Sequence, residues 1–237
     1  MSSLEHRLER IQRDFSPAAL ASSLSAEDMV LTNAIARAQL PIEVFVLDTG
    51  RLHADTLAMI QRVRAHYGLD VTVYRPDAAA VEAYVREHGR DAFYGSLALR
   101  KRCCEIRKVE PLGRALRGKR AWITGQRRDH ASTRAALAER EFDAAHGIEK
   151  FNPLADWSEA QVWDYLRAHA VPGNRLYEQG YRSIGCAPCT RPVLPGEDVR
   201  AGRWWWESPE HKECGLHIAP ASSKQVSFER KEIIHAR

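Results

Sequence analysis

Residues 18–74 read AALASSLSAEDMVLTNAIARAQLPIEVFVLDTGRLHADTLAMIQRVRAHYGLDVTVY. Short apolar runs alternate in this stretch with segments whose apolar residues recur at helical spacing. The pattern predicts strands at Ala18–Leu24, Ile42–Leu47 and Val71–Tyr74, and helices at Ala26–Gln39 and His53–His66. The second strand is broken only by Glu43, as expected for a strand buried in a parallel sheet. The resulting βαβαβ order indicates a sheet with helices on both faces.

The alternation continues beyond residue 74 and predicts an α/β fold with a doubly wound, mostly parallel sheet. We expect helices around Val81–Glu87, through Cys103 to Leu116 and from the N-cap Ser158 to Ala168, and a strand at Ala121–Thr124. Residues 1–206 are expected to form one domain. Residues 207–237 lack a long periodic pattern, so we expect a mobile C-terminal tail.

Composition restricts the class of protein. The 237 residues contain 35 Lys and Arg and 31 Asp and Glu, a net charge of +4. These charges are scattered, which speaks against a nucleic-acid partner and suits a small anionic substrate. The N-terminus is charged and no apolar run reaches membrane-spanning length, so we expect a cytoplasmic protein with no membrane partner.

The five cysteines suggest a metal centre and a nucleophile. Cys103 and Cys104 are adjacent, Cys186 and Cys189 form a C-x-x-C pair, and Cys214 stands alone. A single zinc ion would need all four paired thiolates at about 2.3 Å, which adjacent residues rarely achieve. In a [4Fe-4S] cluster each cysteine binds a different iron, so the spacing favours the cluster. Zinc and disulfides remain the alternatives, although an intracellular chain usually keeps its thiols reduced.

Three polar loops follow predicted strands, at residues 22–28, 47–51 and 124–129. Ligands of doubly wound sheets bind beyond the carboxyl ends of the strands, where these loops should meet. The first loop also opens a helix, whose N-terminus attracts phosphate. Each loop alone is typical of an ordinary cap or turn, but together they predict a nucleotide site.

Three segments, at residues 103–108, 183–191 and 213–217, resemble the signature segments of the assimilatory adenosine 5′-phosphosulfate (APS) reductases that carry a [4Fe-4S] cluster. The likeness also includes residues 47–51, 125–134 and 152–154. It implies a Rossmann-like fold of the adenine nucleotide α-hydrolase, or PP-loop, type. The related 3′-phosphoadenosine 5′-phosphosulfate (PAPS) reductases typically lack the two cysteine pairs. The usual Ser-Gly-Gly-x-Asp-Ser of the ATP-using PP-loop enzymes is absent here, which argues against ATP cleavage.

The resemblance implies the reduction of APS to sulfite and AMP, in sulfate assimilation for cysteine biosynthesis. A Cys214 S-sulfonate would be reduced by thioredoxin or a glutaredoxin-like donor, and a homo-oligomer is compatible with the family. The catalytic residues implied are Cys214, His217 and Lys108, and the cluster ligands are Cys103, Cys104, Cys186 and Cys189. The substrate-binding residues implied are Ser23, Ser25, Asp28, Leu47, Thr49, Gly50, Arg51, Gly125, Arg134, Arg200 and Arg203.

For two of these residues, the spacing from a cysteine independently supports the implied role. Lys108 follows Cys104 by four residues on a predicted helix, so it would face the same side and could bridge cluster and substrate. His217 is three residues from Cys214 and could favour its thiolate. Trp204, Trp205 and Trp206 precede the tail, and we expect packing there more than a thioredoxin platform.

Three other functions stay open at this stage. A PAPS reductase would share the fold and the Cys214 motif. An iron-sulfur PP-loop tRNA thiolation enzyme would share the fold and the cysteines but would hydrolyse ATP. A nucleic-acid-binding protein with a four-cysteine zinc site would need a concentrated basic face.

Overall fold

The computed structural model describes residues 4–130 and 134–208. Its helices are α1 Leu4–Asp14, α2 Ala26–Arg37, α3 Ala54–Tyr67, α4 Ala78–His88, α5 Leu97–Cys104, α6 Glu110–Leu116 and α7 Glu159–Ala168. Its strands are β1 Ala18–Ser22, β2 Glu43–Leu47, β3 Val71–Tyr74, β4 Ala121–Ile123, β5 Arg140–Asp143 and β6 Ile148–Phe151.

The six strands form one sheet in the order β3-β2-β1-β4-β6-β5. All neighbours are parallel except β5 and β6, which pair antiparallel at one edge. Leu20 of β1 lies between Val44 of β2 and Ile123 of β4. The prediction of a doubly wound, mostly parallel sheet is confirmed. The chain order reverses between β1 and β4, and such a reversal opens a crevice at the carboxyl ends of the strands.

Both faces of the sheet are covered. Leu20, Val44 and Ile123 belong to the larger core, beneath α2. Ala19, Phe45 and Trp122 alternate with them and pack with α6 on the opposite face. Helix α2 is buried at every position from residue 26 to residue 35 because it lies between the sheet, α1 and α7. This burial holds the N-terminus of α2 rigidly at the crevice.

The helical region predicted through the tandem cysteines is interrupted. Helix α5 ends at Cys104, a π-helical segment spans Glu105–Val109, and α6 begins at Glu110. A π segment adds a residue to the turn and often marks a functional site. It changes the direction in which Lys108 leaves the helix relative to an uninterrupted α-helix.

Most predicted elements occur within a few residues of their expected ends. Helix α1 and the β5–β6 hairpin were not predicted from the sequence. The mobile tail was expected from residue 207. Residues 207 and 208 are described, whereas residues 209–237, with Cys214 and His217, lie outside the described residues. Among the helices that the structure describes, none is long and apolar enough to cross a membrane.

Candidate active site and cysteine site

A cavity of about 220 Å³ opens at the carboxyl ends of β1, β2 and β4. The loops that follow these three strands form one side, and residues 182–185 and 200–204 form the other. The predicted site residues that line it are Ser23, Ser25, Asp28, Leu47, Thr49, Lys108, Gly125, Arg134, Arg200 and Arg203. The remaining predicted substrate residues in the described ranges, Gly50 and Arg51, do not line it. Arg51 turns toward the cysteines and pairs with Asp91 at 2.6 Å.

The loop after β1 is organised around a carboxylate. Asp28 Oδ2 accepts hydrogen bonds from the Ser23 backbone N–H at 2.6 Å, the Ser23 hydroxyl at 2.6 Å and the Ser25 hydroxyl at 3.4 Å. Burial raises the pKa of Asp28 to about 6, although the bonds from Ser23 oppose the shift. Ser25 is the N-cap of α2 but makes no side-chain capping bond. Instead, the Ala26 N–H donates to the Tyr177 hydroxyl at 2.8 Å.

A second carboxylate joins α2 to the loop after β4. Glu27 lies 3.0 Å from both Arg127 Nε and His130 Nε2. Burial raises the pKa of Glu27, but the hydrogen bond from His130 and the charges of His130 and Arg127 outweigh it and lower the pKa to about 2. Glu27 is therefore a charged link between the first turn of α2 and the loop after β4. Between them, a Cβ at Gly125 would overlap Asp28 Oδ1 and lie 2.8 Å from Glu27 Cβ, so only glycine fits.

The cavity lining is rich in basic residues. Lys108, Arg134, Arg182, Arg200 and Arg203 all line the cavity. Arg203 Nη1 donates to the Ile184 carbonyl at 2.7 Å, and the guanidinium covers Gly185, where a Cβ would overlap it. Fixed cations in a partly closed cavity attract anionic ligands and stabilise charge that develops on them.

Several lining residues were not singled out from the sequence. Gln126 Oε1 and Ser183 Oγ are buried and have no hydrogen-bond partner within the described ranges. Both residues line the cavity. Buried polar atoms usually have partners, so these two are available to a ligand. Both residues lie inside recognised motifs, but only the folded backbone shows that they face the cavity.

A smaller cavity beside the first collects the four paired cysteines. Cys103 and Cys104 come from the last turn of α5. Cys186 is the N-cap of a 3₁₀ turn at Ala187–Cys189, and Cys189 ends that turn. A 2.7 Å hydrogen bond from the Ala187 N–H to the Arg51 carbonyl fixes it. The Thr49 hydroxyl lies 3.2 Å from Cys186 Sγ. All four thiols are free, so disulfides do not explain these cysteines.

Cations surround the four thiols. Burial raises the pKa of Cys103 and also that of Cys189, the latter to about 12, and neighbouring Cys186 adds to both shifts. Arg107 opposes the shift at Cys103, while Lys108 and Arg203 oppose it at Cys189. Arg107 was not predicted as a site residue. It is held in place by a 2.8 Å hydrogen bond from its Nη1 to the Thr49 carbonyl.

The arrangement of the four thiols bears on the choice between a zinc ion and a [4Fe-4S] cluster. Across residues 4–130 and 134–208, no three His, Cys, Asp or Glu side chains are placed to hold a metal ion. The four cysteines nevertheless line one cavity. A [4Fe-4S] cluster takes one cysteine at each iron and so fits separated sulfurs better than a tetrahedral zinc ion does.

Lys108 and Trp204 line both cavities and form their common wall. The Trp204 ring is fully buried between the guanidinium carbons of Arg100 at 4.7 Å and Arg203 at 4.5 Å. Trp204 is thus a packing residue, as the sequence favoured, whereas Trp205 is 40% exposed. A change in one cavity can reach the other through these two side chains.

Comparisons with known proteins agree with this geometry. The model of the phosphoadenosine phosphosulfate reductase domain matches residues 17–192. Adenosine 5′-phosphosulfate reductase from Burkholderia cepacia is 62% identical over 84% of this chain and 79% of its own length. The Allochromatium vinosum enzyme of the same name is 54% identical over 93% of this chain and 86% of its own length.

Solved structures give the same fold. The phosphoadenylyl-sulfate reductase of Candida auris, in a phosphate complex, superposes with a TM-score of 0.70 at 28% identity, covering 81% of this chain and 91% of its own. The FMN adenylyltransferase of Candida glabrata shares the fold alone, with a TM-score of 0.55 at 15% identity over 85% of this chain and 71% of its own. The chain belongs to the phosphoadenosine phosphosulfate reductase family and, within it, to the reductases of adenosine 5′-phosphosulfate that act in sulfate assimilation.

Proposed function

We propose that this reductase works in two stages through Cys214. The Cys214 thiolate attacks the sulfur of APS and expels AMP, which forms the S-sulfonate and breaks the bond between sulfur and the phosphate oxygen. A thiolate of reduced thioredoxin then attacks Cys214 Sγ and releases sulfite. The second thioredoxin thiol resolves the mixed disulfide, so thioredoxin is oxidised and Cys214 is restored. Covalent catalysis divides the reduction into two easier steps.

The observation that supports this proposal most directly is the basic wall of the larger cavity. Lys108, Arg134, Arg200 and Arg203 line the same cavity as Ser23 and Ser25. A thiolate that approaches an anionic phosphosulfate needs such fixed cations.

His217 would contribute another cation from the segment beyond the described residues. Leu47, Thr49 and Gly125 would shape the nucleotide seat, with Gly50 and Arg51 holding the adjoining loop.

We assign the smaller cavity to a [4Fe-4S] cluster held by Cys103, Cys104, Cys186 and Cys189. When bound, the cluster would supply electrostatic tuning and order without a change in its own redox state. Lys108 would then transmit its position and charge to the substrate, because the side chain lines both cavities. We expect the reaction to occur in the cytoplasm, where four free thiols and a metal centre of this kind are stable.

The first experiment measures sulfite release by anaerobically purified protein, with reduced thioredoxin and either APS or PAPS. We expect sulfite from APS, with PAPS used weakly or not at all. A preference for PAPS would show that the cysteine pairs do not set the choice of substrate. Sulfite from neither, with iron content intact, would contradict the proposed mechanism.

A second experiment isolates the first stage. The protein is mixed with APS without thioredoxin, and Cys214 is examined by mass spectrometry for the mass of one added SO₃ group. We expect the adduct in the wild type and none in Cys214→Ser, which should still bind AMP. An adduct on another cysteine would remove Cys214 from its assigned role.

A further inference from the structure

An aromatic patch, formed by Tyr94, Trp205 and Trp206, lies on the surface beside the cysteine cavity. Tyr94 is 44% exposed and Trp205 is 40% exposed. The centroid of the Trp206 ring lies 4.4 Å from that of Tyr94 and 4.8 Å from that of Trp205. The buried ring of Phe93 packs against Tyr94 and Trp206 from within. The three rings therefore form one continuous apolar surface with a solid base.

The aromatic patch is held in a fixed position. On one side, the Tyr94 hydroxyl donates to the Pro188 carbonyl at 2.7 Å, and Phe93 and Pro188 both line the cysteine cavity. On the other side, Glu207 directly follows the three tryptophans and forms the buried ion pair with Arg100. A preformed surface of rigid rings loses little conformational entropy when a partner binds to it.

The chemistry of the two cavities does not account for the aromatic patch. Within the described ranges, Tyr94, Trp205 and Trp206 line neither cavity. Tyrosine and tryptophan are enriched at protein–protein interfaces, because each combines a large apolar ring with a polar tip. Adjacent exposed aromatic rings are therefore typical of a surface that another protein covers.

The aromatic patch is also close in sequence to Cys214. Ser208, the last described residue, is three positions after Trp205, and Cys214 is six positions beyond Ser208. Even a fully extended chain keeps Cys214 within about 20 Å of Ser208. A protein of about 100 residues has a radius of gyration of about 13 Å. A partner of that size that attacks Cys214 therefore comes against the surface around Ser208, where the aromatic patch lies.

We propose that the aromatic patch is the docking surface for the reduced dithiol protein that releases sulfite from Cys214. The rings bind the apolar surface around the exposed thiols of that donor. One donor thiolate then attacks Cys214 Sγ, the sulfur–sulfur bond of the S-sulfonate breaks, and sulfite leaves. The second donor thiol resolves the mixed disulfide, so the donor is oxidised. This inference rests on the proposed two-stage function.

The test measures the second stage by itself. The Cys214 S-sulfonate is formed on the holoprotein with APS, excess APS is removed, and sulfite release is followed with reduced thioredoxin or with dithiothreitol. In Trp205→Ala we expect S-sulfonate formation and release by dithiothreitol within about twofold of the wild type. The second-order rate constant for release by thioredoxin should fall at least tenfold, because an exposed anchor of the interface is lost.

Two further variants serve as controls. Phe142→Ala also removes an exposed aromatic ring, but from β5 at the edge of the sheet, and thioredoxin should discharge it as fast as the wild type. Trp205→Phe keeps a ring in the aromatic patch and should retain most of the thioredoxin rate. Equal thioredoxin rates in Trp205→Ala and the wild type would overturn the docking proposal alone.

Other occupants of the aromatic patch give different results. If Trp205→Ala slowed release by thioredoxin and by dithiothreitol equally, the ring would support the chain that carries Cys214, and the docking proposal would fail. A smaller oligomer of Trp205→Ala with an unchanged thioredoxin rate would assign the patch to a contact between copies of this chain. A wild type that forms no S-sulfonate on Cys214 would overturn the proposed function, and the docking proposal with it.

A measurement on the wild type covers the case in which Trp205→Ala does not fold. A thioredoxin without its second thiol traps the mixed disulfide with Cys214. Oxidation of Tyr94 and Trp205 by hydroxyl radicals should fall severalfold in the trapped complex compared with the free protein. Equal oxidation in the two samples would overturn the docking proposal.

Discussion

Gly125 lines the larger cavity and packs directly against the first turn of α2. A Cβ there would overlap Asp28 Oδ1 and crowd the Asp28 backbone nitrogen at 3.1 Å. We expect Gly125→Ala to lower the free energy of unfolding by about 1–3 kcal/mol, because neither α2 nor the loop can move freely. Its AMP affinity should fall more than tenfold, as measured by calorimetry.

Gly113 supplies the control for this prediction. It lies within α6, and a Cβ there would meet nothing within 4 Å among the described atoms. Gly113→Ala should be neutral or stabilising by up to about 1 kcal/mol, since alanine favours a helix more than glycine does. If Gly125→Ala changed the free energy of unfolding no more than Gly113→Ala does, the structure would have relaxed around the added methyl group, and the expected crowding would be absent.

Asp28 gives the fold a specific pH dependence. Burial raises its pKa to about 6, above the value of 3.8 for an exposed carboxyl group. Its contribution to stability is therefore full below about pH 4 and is lost as the pH rises through about 6. We expect the stability advantage of Asp28→Asn over the wild type to grow by about 1.4 kcal/mol between pH 5 and pH 8, roughly half of the full effect of the pKa shift. The measurement is the difference in melting temperature between the two proteins at both pH values.

The difference between variant and wild type removes the contributions of groups that both share. Glu27 neighbours Asp28 on α2, and its pKa, at about 2, lies below the tested window. A difference in melting temperature that is constant from pH 5 to pH 8 would contradict the raised pKa.

At the scale of elements, the helix that carries the tandem cysteines is anchored by a buried ion pair. Arg100 of α5 donates to both oxygens of Glu207, at 2.9 and 2.7 Å, and their side chains are 1% and 7% exposed. Arg100 also stacks on Trp204. The pair therefore joins α5 to the segment that leads into the Cys214 tail.

Removing one partner of this pair should be costly. We expect Glu207→Ala to lower the free energy of unfolding by about 3–5 kcal/mol, since it leaves the Arg100 charge buried and uncompensated. The variant should also lose iron faster during purification, as followed by iron content per chain. Unfolding and iron retention equal to the wild type would separate the pair from the cysteine site.

Glu110→Gln serves as the comparison. Glu110 and Arg114 form an exposed pair one turn apart on α6, with a shortest N–O distance of 2.6 Å. Such pairs contribute only about 0.3–0.5 kcal/mol. If burial determines the contribution of an ion pair, Glu207→Ala will lower the free energy of unfolding much more than Glu110→Gln does.

Elements differ in how well the sequence predicts them. The strand Val71–Tyr74 and the N-cap Ser158 were foreseen because apolar runs and cap residues act locally. Strand β5, Arg140–Asp143, has three charged residues and lies at the sheet edge, so its pairing with β6 decides its structure. The π segment at 105–109 has an ordinary helical sequence, and its wider turn depends on tertiary contacts.

The site shows the same division between local and tertiary information. Cys103, Cys104, Cys186 and Cys189 were foreseen because their spacing limits the chemistry they can perform. The roles of Arg107 and Ser183 depend on contacts with distant parts of the chain, such as the bond from Arg107 to Thr49, 58 positions away. Arg51 shows that membership of a motif does not fix which cavity a side chain enters.

For the whole molecule, the central feature is that two cavities share one wall. Lys108 and Trp204 line both, so nucleotide binding and the cysteine site should be energetically coupled. With the proposed cluster in the smaller cavity, we expect saturating AMP to slow the loss of iron to a chelator severalfold, because a ligand that binds the folded state suppresses the openings that would expose the cluster. The measurement is the rate of decay of the visible absorbance with and without AMP.

Lys108→Met tests whether this coupling passes through the common wall. The variant keeps the length of the side chain but loses the charge between the cavities, so AMP, once saturating, should protect its iron much less than in the wild type. Arg62→Met is the control, since Arg62 donates to the Gly173 carbonyl and lines neither cavity. Equal protection by AMP in Lys108→Met and the wild type would mean that the coupling arises from general stabilisation of the fold. Protection lost only in Lys108→Met would identify the lysine as the physical link between the bound nucleotide and the proposed cluster.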